Sequence, residues 1–199
     1  MAPLRYVALG DSYTIGTSVA EDERWPNQLV AVEPRLDLVA NLGVNGYATR
    51  DVIDRELPRL SELEPEFVTL LIGVNDVVQH VPVPLYRWNL EQILDDLVKR
   101  VGSTRILAIT TPDYTVTPSG AEYGDPARQS EAIRACNAAL QELAGGHRVR
   151  VVDVYDLSLA ARDDPDLVAV DGLHPSARQY VLWMSRIFPA VHQMLSAEA

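Results

Sequence analysis

Five short runs of nearly unbroken apolar residues, at 4–9, 36–42, 67–72, 105–109 and 149–154, constrain the fold of this 199-residue chain more than any other feature. A strand with one wet face alternates apolar and polar residues, whereas a run without that alternation suits burial on both faces. Between the runs, apolar residues recur at helical spacing. The stretches 26–32, 85–101, 126–143 and 177–195 read as helices. In the last of them Val181, Met184, Ile187, Phe188, Val191 and Leu195 repeat at threes and fours. Strands alternating with helices build crossover units. The expected fold is therefore α/β: a five-stranded parallel sheet with helices on both faces, a flavodoxin-like three-layer α/β/α sandwich. No internal repeat or linker interrupts the pattern, so residues 1–199 are read as one domain.

Nearly half of the residues are apolar, enough for a sizeable core. The 17 basic and 28 acidic residues leave a formal net charge of -11, which repels phosphate backbones and argues against nucleic acid as a partner. The same charge opposes docking on anionic membranes, and no apolar stretch is long enough to span a bilayer. No basic, apolar leader precedes the first run, so the cytoplasm is the expected compartment. The one cysteine, Cys136, excludes an intrachain disulfide and shares a helical stripe with Ile133, Leu140 and Leu143, where it reads as inert packing.

In doubly wound sheets ligands gather at the carboxyl ends of the strands, so reactive residues should follow the apolar runs. The first run ends in Gly10-Asp11-Ser12-Tyr13, where a glycine with free dihedrals can present a serine hydroxyl and its N–H together. The second leads into Asn41-Leu42-Gly43-Val44-Asn45-Gly46-Tyr47-Ala48-Thr49, whose two glycines allow close approach of a ligand to the backbone. The third ends in Ile72-Gly73-Val74-Asn75-Asp76, which offers uncharged side-chain N–H donors. After the fifth comes Asp171-Gly172-Leu173-His174-Pro175-Ser176. An Asp three residues before a His can fold back onto Nδ1 and leave Nε2 free to take a proton. Pro175 would then occupy the first turn of the last helix. Each segment alone is explained as a turn or a helix cap. A cap does not explain the histidine, and together the four supply what one acyl-transfer site needs.

Gly10-Asp11-Ser12, Gly46, Gly73-x-Asn75-Asp76 and Asp171-x-x-His174 resemble, in order and spacing, the four blocks of the SGNH hydrolases, also called GDSL esterases and lipases. The likeness spans residues 10 to 174, and it is specific as a combination. It implies the same flavodoxin-like fold and hydrolysis of a small ester or thioester with no metal or organic cofactor. Carried over, Ser12 is the nucleophile, His174 the general base and Asp171 the residue that orients it. The N–H groups of Ser12 and Gly46 and the amide of Asn75 form the oxyanion hole. Tyr13 stands where the family name has leucine. Gly46 is chosen over Gly43 for its distance from Asn41 and Thr49.

The apolar segment Val77, Val78, Val81, Pro82, Val83, Pro84 reads as a stiff loop. With Tyr47, Tyr114 and the other tyrosine of the long irregular stretch 113–125, it would wall a modest acyl pocket, and that stretch has the length of a functional lid. Asp11 is assigned to holding the turn by local hydrogen bonds. His80 reads as a loop residue, while His147 and His192 lack partners at metal-ligand spacing, so no metal site is expected. Four alternatives stay open: a carbohydrate O-deacetylase, an acyltransferase, a non-catalytic binding module, and a phosphate or flavin binder using Tyr13-Thr14-Ile15-Gly16-Thr17. Oligomeric state is not legible.

Overall fold

The structure is a computed structural model that describes residues 2–197. Five strands, β1 (Leu4–Gly10), β2 (Leu36–Asn41), β3 (Phe67–Leu71), β4 (Ile106–Ile109) and β5 (Arg150–Val152), form one parallel sheet in the order β2-β1-β3-β4-β5. The three central strands are buried almost throughout, which is why their sequences do not alternate. The edge strands β2 and β5 are only partly covered.

The helices are α1 (Ser12–Ile15), α2 (Trp25–Val32), α3 (Thr49–Asp51), α4 (Leu60–Leu63), α5 (Val74–Val78), α6 (Val83–Val101), α7 (Pro126–Gly146), α8 (Tyr155–Leu159) and α9 (Ala177–Ser196). The crossovers place α2 on one face, where it packs on α9, and α6 and α7 together on the other. Trp25, Trp183, Tyr6, Tyr86, Tyr180 and Phe67 are the largest fully buried side chains of the core.

Two local readings differ from the sequence expectation, and one stretch had no expectation. Residues 49–63 form a broken helical path (α3, a π-turn at Val52–Glu56, a 3-10 turn at Leu57–Arg59, then α4) that buries Val52, Leu57 and Leu60. The supposed valine loop is α5 followed by the start of α6, so Val77 and Val83 lie in helices. Pro175 stands outside the last helix. Ser176 is its N-cap, accepting from Gln179 N, and Pro175 instead bridges Val168.

The order 2-1-3-4-5 puts the topological switch at β1 and β3, so loops leaving β1, β2 and β3 are neighbours at one sheet edge. Gly10 pairs with Leu71 and Ala8 with Asn41, which fixes their relative height. The strand β5 lies at the far edge. Its following segment reaches back over the sheet because α9 docks on α2 beside β1.

Candidate active site

Ser12 begins α1 one residue beyond β1. Gly10 adopts φ 151°, and a Cβ there would stand 2.2 Å from the carbonyl oxygen of Leu71, so only glycine fits this sharp exit. Asp11 caps the turn by accepting from Tyr13 N at 2.9 Å, the local role expected for it. Trp25 Nε1 and Tyr180 O–H both donate to the Tyr13 carbonyl at 3.1 Å, tying the turn to both helices of that face.

The loop after β2 is held by Asn41, whose amide donates to Thr14 O at 2.8 Å. Gly43 packs beneath α1, while Gly46, at φ 84°, opens onto the cavity above Ser12. Gln79 Nε2 donates to Gly46 O at 3.0 Å and fixes that peptide. Asn75 Nδ2 donates to Tyr47 O at 2.9 Å, leaving the second N–H of the amide. Asp76, buried behind it, accepts from Thr49 N at 2.9 Å and Thr49 Oγ1 at 2.5 Å, and so joins α5 to α3. Neither the N–H of Ser12 nor that of Gly46 donates to another described residue.

Asp171 and His174 share a tight turn. Asp171 Oδ1 accepts from the backbone N–H of Leu173 at 2.9 Å and of His174 at 3.0 Å. Its Oδ2 lies 2.6 Å from His174 Nδ1 and accepts from Ser18 Oγ at 2.6 Å. Partial burial would raise this carboxyl. The donors from Ser18, His174 and Leu173 outweigh it and hold the group well below the usual carboxylate range. The imidazole lies 5.5 Å from the Tyr13 ring, centre to centre.

Ser12, Gly46, Asn75 and His174 all line one cavity of about 230 Å³, with Tyr13, Asn45, Val74, Val78, Tyr114, Tyr123 and Leu173. Six residues expected in its wall are absent: Tyr47, Val77, Val81, Pro82, Val83 and Pro84. Tyr47 contributes its carbonyl to Asn75 and turns its ring under Arg55, at 5.8 Å. Val77 faces a separate cavity bordered by His80 and Cys136, because consecutive residues of a helix diverge and Val78 takes the site-facing position. The stretch 113–125 is ordered into two 3-10 turns, Tyr114–Val116 and Gly120–Tyr123. The Tyr114 and Tyr123 rings meet edge to face at 5.9 Å over the cavity, and Ser119 N donates to Gly172 O at 2.9 Å. Leu173, Val74 and Asn45 went unassigned in the sequence reading, as did Ser18. Being adjacent to a block was the signal for the first three. Ser18 lies 153 residues from its partner and had none.

Below the site lie two further buried acids. Burial pushes the carboxyl of Asp11 up to about 8, against the hydrogen bond from Tyr13 N and aided by nearby Asp76. It pushes Glu56 up to about 9, despite the hydrogen bond that Glu56 accepts from Gly10 N at 3.0 Å. One oxygen of each, Oδ2 of Asp11 and Oε1 of Glu56, has no partner among the described residues.

The other histidines are elsewhere. His80 is exposed, and His192 joins Glu33 and Arg35. His147 was expected to lack partners at metal-ligand spacing. The pairing of α6 with α7 corrects that, bringing Asp95 to 3.1 Å and Glu91 to 3.8 Å of its Nε2, while its Nδ1 bonds Leu143 O at the helix end. Cys136 is buried on α7, where desolvation raises its thiol to about 12. Among the described residues no helix is long and apolar enough to cross a membrane.

A parallel sheet in this order, with its ligand-accessible loops at the carboxyl ends of the strands, defines the flavodoxin-like class of α/β folds. The chain belongs to the GDSL-like Lipase/Acylhydrolase family, whose pattern residues 8–182 match. It is 28% identical over 148 residues to the GDSL esterase/lipase WDL1 of Oryza sativa subsp. japonica, covering 68% of this chain and 56% of that protein. The chain thus spans little more than half the length of the curated relatives it matches. Its fold superposes on the lipase/acylhydrolase from Enterococcus faecalis with a TM-score of 0.70, at 26% identity and 94% coverage of both chains. For a member of the lipolytic protein G-D-S-L family from Veillonella parvula DSM 2008 the TM-score is 0.73, at 18% identity, over 90% of this chain and 93% of that one.

Proposed function

We propose that this chain is a serine acyl hydrolase that cleaves small carboxylic esters through an acyl-enzyme on Ser12. The observation that carries the reading is the 2.6 Å contact between Asp171 Oδ2 and His174 Nδ1 in a turn whose histidine lines the same cavity as Ser12. With Nδ1–H donated to Asp171, Nε2 is the free basic nitrogen. It takes the Ser12 proton as the hydroxyl attacks the acyl carbonyl, and returns it to the leaving alkoxide or thiolate. Water then attacks the acyl-enzyme by the same route. Charge on the tetrahedral oxygen is met by the N–H groups of Ser12 and Gly46 and by the Asn75 amide. The bond from Asn75 to Tyr47 O pre-orients its amide, and the bond from Gln79 to Gly46 O steadies the Gly46 loop.

Val74, Val78, Leu173, Tyr114 and Tyr123 give the cavity its apolar wall. At about 230 Å³ it lies below the roughly 300–1,000 Å³ of drug-sized sites, which favours short acyl groups. A second reading, removal of O-acetyl groups from a sugar, is favoured by Tyr123, which is 40% exposed beside the cavity and can stack on a ring. Hydrolysis rates on p-nitrophenyl esters from acetate to laurate, beside acetylated xylo-oligosaccharides, test both. Turnover should peak at acetate to butyrate and vanish in Ser12→Ala. Near-normal turnover in that variant would refute the covalent route.

A further inference from the structure

Ser18 is a non-glycine residue at φ 68°, in the left-handed region that side chains avoid, and it is exposed, so packing does not hold it there. What does hold it is the site. Gly16 N and Thr17 N both donate to the Ser12 carbonyl, at 3.0 and 3.1 Å, which anchors this turn to the serine itself. Thr17 Oγ1 reaches one way to Asn45 Oδ1 at 2.6 Å, and Ser18 Oγ the other way to Asp171 Oδ2 at 2.6 Å. That oxygen is the one facing His174 Nδ1.

We infer that Ser18 is a positioning residue for Asp171, a fourth member that couples the Ser12 turn directly to the acid of the triad. This rests on the triad reading given above. With two N–H donors on Oδ1 and the hydroxyl and imidazole on Oδ2, the carboxylate cannot rotate away from the histidine. The hydroxyl also shares the negative charge, and so limits how strongly Asp171 favours the imidazolium. Without it, the carboxylate gives more of its charge to the imidazole but holds it less firmly. Turnover should then fall, while protonation of the base should set in at higher pH.

The test is the pH dependence of kcat and kcat/KM on p-nitrophenyl acetate for wild type, Ser18→Gly, Asp171→Asn and the double variant. The other titratable groups around the pair are Tyr13 on α1, Tyr180 on α9 and Tyr114, with Asp11, Asp113 and Arg24 behind them, and Ser18→Gly leaves all of them in place. Glycine is at ease at this φ, so thermal stability should hold or rise. Ser18→Ala, which keeps a Cβ, should give the same profile. We expect kcat to fall about tenfold, KM to change little and the low-pH limb to move up by about half a pH unit, as losing a hydrogen bond to a charged group would give. Against the Asp171→Asn background Ser18→Gly should add almost nothing. Wild-type kcat with an unmoved limb in Ser18→Gly, or a full effect persisting in the double variant, overturns the inference while leaving the triad reading intact. Near-normal turnover in Asp171→Asn itself overturns the triad reading, and the role of Ser18 with it.

Discussion

Asp171 and the acids beneath the Ser12 turn are the same chemical group in opposite states. Asp171 keeps 28% of its side chain in solvent and accepts four hydrogen bonds, so it stays ionised far into acid. Asp11 and Glu56 are buried and accept one N–H each, and burial pushes both up, to about 8 and about 9. Donors outweigh burial at the first site, and burial outweighs donors at the second. In the proposed mechanism a fixed negative charge therefore stands beside the histidine as it takes the proton. The ground under Ser12 stays neutral, where a charge would repel the oxyanion that the proposal forms.

The sharpest way to break this comparison is to make one substitution at both places. Asp171→Asn should cost on the order of a thousandfold or more in kcat, because the amide N–H stabilises the wrong imidazole tautomer. Asp11→Asn, which replaces an acid already neutral, should stay within about tenfold in the same assay. Comparable losses in both would mean that Asp11 is charged during turnover. Next in size, Asn75→Ala should lose about a hundredfold in kcat, the usual worth of one oxyanion donor at ~3 kcal/mol. Steady-state kinetics with KM unchanged would mark the loss as one of transition-state binding.

The smallest effect concerns stability. Glu56 and Asp11 hold protons more tightly in the folded chain than in the unfolded one. Their contribution is full below the ordinary carboxylate range near about 4 and is lost as pH rises through about 8 and 9. Thermal melts should therefore show Tm falling across that window. Glu56→Gln should flatten the fall and raise Tm at pH 9 by several degrees, since about 1 kcal/mol is worth ~2–4 °C in a chain of this size. A Tm that rises from pH 6 to 9 in wild type would contradict the neutral assignment.

The same contrast marks what the sequence makes legible. Asp171 could be read, because an Asp three residues before a His is a local pattern, and the central strands could be read because burial on both faces erases alternation. Glu56 could not. Its helical path, from Thr49 to Leu63, mixes charged residues with Pro58 and changes hydrogen-bonding register three times, so no single period shows. Its bond to Gly10 spans 46 residues. The valines at 74–78 mask a helix because β-branched residues favour strands and stiff loops, and tertiary packing overrides that preference. Pro175 satisfied a rule for helix starts, yet Ser176 supplies the cap, since a side-chain acceptor for Gln179 N does what proline cannot. His147 gained its acidic neighbours only through the docking of α6 on α7.

The central claim is that Ser12 and His174, 162 residues apart in the chain, act on one carbonyl. Labelling the pure protein with a fluorophosphonate and mapping the adduct by mass spectrometry tests it most directly. The account requires one adduct, on Ser12, that forms far more slowly in His174→Ala and not at all in Ser12→Ala. A fully active protein that resists the reagent, or that carries the adduct on another serine, would contradict it.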